Sequence, residues 1–178
     1  SFTYMTFTSI DFETATYHKH SACAVGIVTV EHGIITDEYF TLIQPPDNFY
    51  SYHNIRVHGI TSKHTANVGT FDELYPEIYI RLLNKTVVAH NESFDRNVLT
   101  GCISHYGLSS KGLSLHKNWQ CTVKLYRSLG YQHNKLSDCC KRLNIPLQHH
   151  EALSDARACA QLYLNYLQHH ATERPVLS

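Results

Sequence analysis

The sequence predicts an α/β fold, a mixed sheet with helices packed on it. Three strand-like segments come first, and a tight turn joins the second to the third. Helical and strand-like segments then alternate to the end of the chain, the pattern of a sheet carrying parallel additions. The 178 residues, 43% hydrophobic and 17% charged, suffice for one domain with a real core. That domain is expected to span residues 1–168, with 169–178 as a loose C-terminal tail.

The elements follow in order. Met5 to Asp11, Cys23 to Val30 and Ile34 to Ile43 are rich in β-branched and aromatic residues. "EHG", Glu31 to Gly33, gives the turn between the second and third, and "QPPDN", Gln44 to Asn48, closes the unit. A His- and Tyr-rich loop leads to "VHGIT", Val57 to Thr61. Thr70 reads as an N-cap, with Glu73 completing a capping box and Phe71, Leu74, Ile78 and Leu82 as the apolar stripe. Pro76 inside that stripe predicts a kink or a later start. "TVVAH", Thr86 to His90, has the character of a buried parallel strand. A helix from Ser93 to Tyr106 is stopped by Gly107. "WQCTV" reads as a strand, and Val123 to Leu129 and Leu136 to Leu143 as helices, the latter ending before Pro146. Ala152 to Leu167 is the last helix, apolar at 152, 156, 159, 163 and 166.

Fifteen basic residues balance fifteen acidic ones, which excludes a protein that coats long nucleic acid by bulk electrostatics. It leaves room for one that grips a short end at a metal centre. The six cysteines, at 23, 102, 121, 139, 140 and 159, form no C-x-x-C pair and read as small core residues of a reduced, cytoplasmic protein. No apolar run has the length of a membrane span, and no charged n-region with an h-region opens the chain.

Within "FTSIDFETATY", Asp11 and Glu13 stand two residues apart in a strand and so point to one face, with Phe12 directed the other way. Two like charges ~4 Å apart repel by roughly 4 kcal/mol at an effective dielectric of about 20. A divalent cation offsets such repulsion; a solvated strand end with two surface acids is the other reading. Asp95 lies one turn into its helix, on a face shared with Leu99, Cys102 and Tyr106, where an acid is seldom left unpaired. A salt bridge or a first-turn acid favoured by the helix dipole would explain it equally. Asp155 is set among Ala152, Cys159 and Leu162, with His150 on the entry loop before it. Taken together, these acids fall at strand ends and helix starts, where α/β active sites gather. Four carboxylates in one pocket match the charge of two Mg2+ or Mn2+ ions, and oxygen donors select such hard cations.

"DFET" at Asp11 to Thr14, "HNESFD" at His90 to Asp95 and "HHEALSDA" at His149 to Ala156 resemble, in order and separation, the three motifs of the DEDDh (DnaQ-like) 3′–5′ exonucleases. The resemblance covers roughly Phe7 to Leu167 and is closest to the DNA polymerase III epsilon and exonuclease X branch. His150, with four residues between it and Asp155, marks the histidine subclass; the tyrosine subclass would carry its Tyr where this chain has Glu151.

The resemblance implies a ribonuclease H-like fold, a five-stranded mixed sheet with its first three strands antiparallel and flanked by helices. It implies a two-metal phosphodiester hydrolase that releases nucleoside 5′-monophosphates from nucleic-acid 3′ ends, in proofreading or repair. Asp11 would bridge two divalent cations, Glu13 and Asp155 would complete one site, Asp95 would support the other, and His150 would be the general base. Phe12 and Thr14 would meet the terminal nucleotide through backbone groups and ring stacking, and the loop containing His58 and Ile60 would pack on its sugar and base. Asn91 and Phe94 are further expected substrate contacts within the second motif. Single-stranded DNA is the expected partner, a polymerase subunit a further one, and no membrane is involved. An RNA-directed exoribonuclease and a non-catalytic module binding nucleic-acid ends are the alternatives.

Overall fold

A computed structural model describes residues 5–116 and 119–170. Strands β1 (Phe7–Thr14), β2 (Ala22–Glu31) and β3 (Ile34–Leu42) form an antiparallel meander. β4 (Val87–Ala89) and β5 (Trp119–Cys121) add in parallel on the other side of β1, giving the order β3-β2-β1-β4-β5. This is the expected five-stranded mixed sheet. The β2–β3 turn is the two-residue kind, with His32 and Gly33 both at positive φ (51° and 83°), the conformation that matches strand twist.

Seven α-helices accompany the sheet among the described residues: α1 (Tyr52–His58), α2 (Ser62–Thr65), α3 (Phe71–Leu82), α4 (Glu92–His105), α5 (Thr122–Ser128), α6 (Leu136–Leu143) and α7 (Ala152–His170). Alternation along β1 sorts its side chains into two layers. Ile10 and Phe12 join Val25 and Ile27 of β2 in a core covered by α3 and α4. Phe7 joins Val28, Val30 and Val88 in a second core under α7, where its ring meets Tyr163 edge-on at 4.7 Å. Asp11 and Glu13 share the phase of Phe7 and therefore emerge beneath α7.

The docking of α7 sets the geometry of the site. Ala156, Cys159 and Ala160 turn to the sheet, while Ala158 and Leu162 pack with Tyr126, Leu136, Cys139 and Cys140 of α5 and α6. These small side chains permit close approach, and all six cysteines are buried and unbridged. Gly26 lies opposite Asp11 in the β1–β2 register. A Cβ there would stand 2.4 Å from the Ala152 carbonyl oxygen and 2.7 Å from the Leu153 Cα. Hydrogen at this position is what lets the start of α7 rest on the strand. The Ser9 hydroxyl donates to the Ala156 carbonyl at 2.5 Å, a second tie between β1 and α7.

Several boundaries depart from the sequence reading. β1 runs on to Thr14 rather than stopping at Asp11, because pairing with β2 continues through Glu13↔Ala24 to a bulge. The His- and Tyr-rich loop holds α1 and α2; α1 is capped by the Ser51 side chain and closed by Gly59 at φ 76°. Helix α3 starts at Phe71 and continues through Pro76, whose missing N–H would have met the Asp72 carbonyl; both residues are on the exposed face, where water can serve it. The Thr70 capping box does not form, since its hydroxyl donates to the Asp72 and Glu73 carboxylates instead of accepting from the backbone. Gly107, at φ 61°, does end α4: its N–H and that of Leu108 return to the carbonyls of Ser104 and Ile103. Helix α7 extends to His170, three residues past Leu167, and so takes in the first two residues of the tail expected over 169–178; residues 171–178 lie outside the described residues. No helix among the described residues is long and apolar enough to cross a membrane.

Substituting Gly26→Ala should lower unfolding stability by about 1–3 kcal/mol, since the clash is with backbone that cannot rotate away. Urea titration of the two proteins measures the difference. An unchanged midpoint would show that α7 is not held against β2 as described.

Candidate active site

The site lies where the parallel part of the sheet runs out. β4 pairs with β1 only at Thr8 and Ser9, so the even-numbered N–H groups of β1 lose their strand partner beyond it. The Phe12 N–H is one of these, and the Asp95 Oδ1 accepts it at 2.8 Å. Asp95 reaches that point because the chain leaves β4, turns through Asn91 at φ 67°, and starts α4 at Glu92. The buried acid of α4 thus acts as a one-residue extension of β4. On its outer side Glu92 is neutralised by Arg96 at 2.8 Å.

Asp155 arrives from above the sheet, in the first turn of α7. Its Oδ2 accepts the His150 backbone N–H at 3.1 Å, which His150 presents from a positive φ of 69°, and the His149 Nδ1 lies 3.3 Å from its Oδ1. Carboxylate oxygens of Asp11, Glu13 and Asp155 come within 4.8 Å of one another, and Asp95 adjoins them through Phe12. Asp95 and Asp155 each occupy the first turn of a helix, where the dipole favours an anion.

Electrostatics mark the place as unsatisfied. Burial lifts the Asp11 carboxyl well above the usual carboxylate range, and Asp95, Glu13 and Asp155 push it the same way. Glu13 is raised to about 8, first by burial and then by Asp155 and Asp95. Burial also raises Asp95, against the pull of the Phe12 N–H, and raises Asp155, against the pull of His149 and His150. Asp11 Oδ2 is buried and has no hydrogen-bond partner. An orphaned carboxylate oxygen inside a group of oxygen donors fits a hard divalent cation. His149, His150 and Asp155 form a second group with donor atoms within 4.8 Å.

The flanking histidines are held by backbone. His58 donates from Nε2 to the Thr14 carbonyl at 2.9 Å and accepts the Ile60 N–H at Nδ1, so its tautomer is fixed. His90 likewise donates from Nε2 to the Asn134 carbonyl and accepts from the Thr122 hydroxyl; burial lowers it to about 4, keeping it neutral. The His150 ring, lowered by burial and by His149, lines a cavity of about 300 Å3 with Ala24, Phe40, Leu42, His58 and Ile60.

The structure thus gathers Asp11, Glu13, Asp95, His150 and Asp155 from three remote segments and places His58 and Ile60 beside them. The stacking expected of Phe12 is corrected: its ring is 2% exposed in the core beneath α3 and α4, and its N–H already serves Asp95. Thr14 is buried too, its carbonyl held by His58 and Asn54. Asn91 is exposed at the start of α4, and the half-buried Phe94 ring carries the Lys19 ammonium 4.5 Å from its centroid. His149, Gly26 and Ser9 escaped the sequence reading. The His149–His150 doublet was visible, but motif spacing pointed only to the second histidine, and the other two act through backbone contacts 126 and more residues away.

An exonuclease family model, RNase_T, matches residues 8–163. DNA polymerase III PolC-type from Thermotoga petrophila is 33% identical over 94% of this chain, which spans 12% of that protein's length. The DNA polymerase III subunit epsilon of Aquifex aeolicus is 27% identical over 92% of this chain and 81% of its own. Among solved structures, exonuclease X in complex with 5′ overhanging duplex DNA superposes with a TM-score of 0.73 at 25% identity, covering 92% of both chains. Exonuclease I superposes with a TM-score of 0.82 over 94% of this chain and 42% of its own; at 14% identity that likeness concerns the ribonuclease H-like fold alone. The chain belongs to the exonuclease family, on its DnaQ-like 3′–5′ branch.

The raised Glu13 carboxyl sets a pH dependence. A folded pKa of about 8 against an ordinary 4.5 makes its contribution to stability full below 4.5 and lost as pH rises to 8. In EDTA, the wild-type Tm should therefore fall relative to that of Glu13→Gln between those pH values. Parallel Tm curves would show that Glu13 ionises without strain.

Proposed function

We propose that this chain removes nucleotides one at a time from the 3′ end of nucleic acid, with single-stranded DNA as the favoured substrate, releasing nucleoside 5′-monophosphates. The observation that carries this reading is the convergence of four carboxylates, each raised by its surroundings and including the orphaned Asp11 Oδ2, with an imidazole at their edge. Asp11, Glu13 and Asp155, with Asp95 alongside, would hold two Mg2+ or Mn2+ ions. Bound there, the ions would neutralise the carboxylates and stabilise charge on the attacking and leaving oxygens of the phosphodiester.

The chain's own residues supply the rest. His150, kept neutral near pH 7 by burial and by His149, can take the proton of the attacking water. Asp155 fixes the turn that presents it, through the His150 N–H. His58 and Ile60, with Ala24, Phe40 and Leu42, offer the adjoining cavity to the sugar and base of the terminal nucleotide. The likeness to polymerase III epsilon and PolC-type chains supports action beside a polymerase, as part of the same proposal.

Incubation with 5′-labelled DNA and RNA strands tests the reading. In Mg2+ or Mn2+ the label should shorten stepwise from the 3′ end, with DNA faster, and EDTA should stop it. Asp11→Ala and Asp155→Ala should fall to near background, and His150→Ala should lose about 10²–10⁴-fold in kcat. Cleavage that persists in EDTA or in Asp11→Ala would sink the proposal.

A further inference from the structure

The β1–β2 connection carries an arrangement of rings that the carboxylate site does not use. Tyr17, 81% exposed, lies with its ring centroid 4.1 Å from that of His18. His18 stacks on His20 at 5.3 Å, and His20 stacks on His105 of α4 at 4.5 Å with only 5° between the planes. Tyr17, His18 and His105 are exposed; the inner rings cover one another's faces, so the ladder offers solvent its ring edges and, at its open end, the Tyr17 ring. His18 and His20 also line a cavity of about 250 Å3 with Thr16, Ser21, Asp47 and the exposed Phe49.

The ladder is built in rather than loose. The Ser21 side chain accepts the Thr16 N–H at 3.0 Å and donates to the His18 carbonyl at 2.6 Å, closing the loop on itself. A Cβ on Gly101 of α4 would stand 3.1 Å from the Lys19 Cβ and 3.3 Å from the His20 N, so the loop lies directly on that helix. Lys19, between the two histidines, lays its ammonium over Phe94, the residue before Asp95. Tyr17 is four residues past Glu13, at most about 14 Å of extended chain from it.

We propose that the Tyr17–His18–His20–His105 ladder and the cavity beside it bind unpaired bases of the strand upstream of the 3′ end, with Lys19 facing the intervening phosphates. An exposed ring at the end of a braced stack is the platform that sequence-tolerant single-strand binding uses, since every base has a π-face. A nearly neutral chain has little bulk charge to hold a strand, so stacking next to the carboxylates supplies the grip. Duplex ends, whose bases are already stacked and paired, gain nothing from it. The inference rests on the exonuclease reading of the neighbouring site.

The test compares wild type, Tyr17→Ala/His105→Ala and Tyr17→Phe/His105→Phe. Anisotropy titration in EDTA with a labelled single strand of about eight nucleotides reads binding, and hydrolysis of a dinucleotide in Mg2+ reads the carboxylate site alone. The alanine pair should weaken strand binding about tenfold or more, leave dinucleotide hydrolysis unchanged, and be rescued by the phenylalanine pair. Equal strand affinity in all three proteins would overturn the proposal, as would a matching loss on the dinucleotide. Should wild type in Mg2+ hydrolyse neither the dinucleotide nor the same single strand, the exonuclease reading fails while the titration still decides the ladder.

Discussion

Mutual repulsion among buried carboxylates is the constraint on which this molecule turns. Burial raises the proton affinity of Asp11, Glu13, Asp95 and Asp155, and the neighbouring acids raise Asp11, Glu13 and Asp95 further. A fold driven only by stability would separate them or replace one with an amide. Here the backbone forces them together at three points: strand alternation aligns Asp11 with Glu13, the end of β4 draws in Asp95, and the bare Cα of Gly26 admits Asp155. The strain is local, and the two apolar cores on either side of the sheet hold it in place.

Much of this was legible in the residue order, for identifiable reasons. The period-2 placement of Asp11 and Glu13 fixes their common face whatever the exact strand limits, so that inference survived a strand end misplaced by three residues. Gly107 and the apolar stripe of α4 defined a helix whose buried side had to include Asp95. The spacing within "HHEALSDA" placed His150 near Asp155 because a helix start and its entry loop are bound to each other locally.

What stayed hidden depended on contacts between distant segments. Nothing near Gly26 in the chain reveals that Ala152 and Leu153 will lie across it. Phe12, an aromatic between two acids, invited a role in stacking; strand alternation turns its ring away from them, but only the packing of α3 and α4 over that face shows that the ring is sealed in a core. Pro76 and Thr70 misled for a different reason. Local propensity gave way to the burial of Phe71, Tyr75, Ile78 and Leu82, which holds α3 together despite one lost bond and an unmade cap.

Phe12 also has a bearing on motion. Its ring is wedged into one core while its amide is tethered to α4, so the residue between Asp11 and Glu13 is clamped from two directions. The backbone that bears both carboxylates is consequently pinned to the sheet on one side and to α4 on the other. One aromatic residue thereby fixes the spacing of its two acidic neighbours along the strand, a mooring written into a single position of the chain.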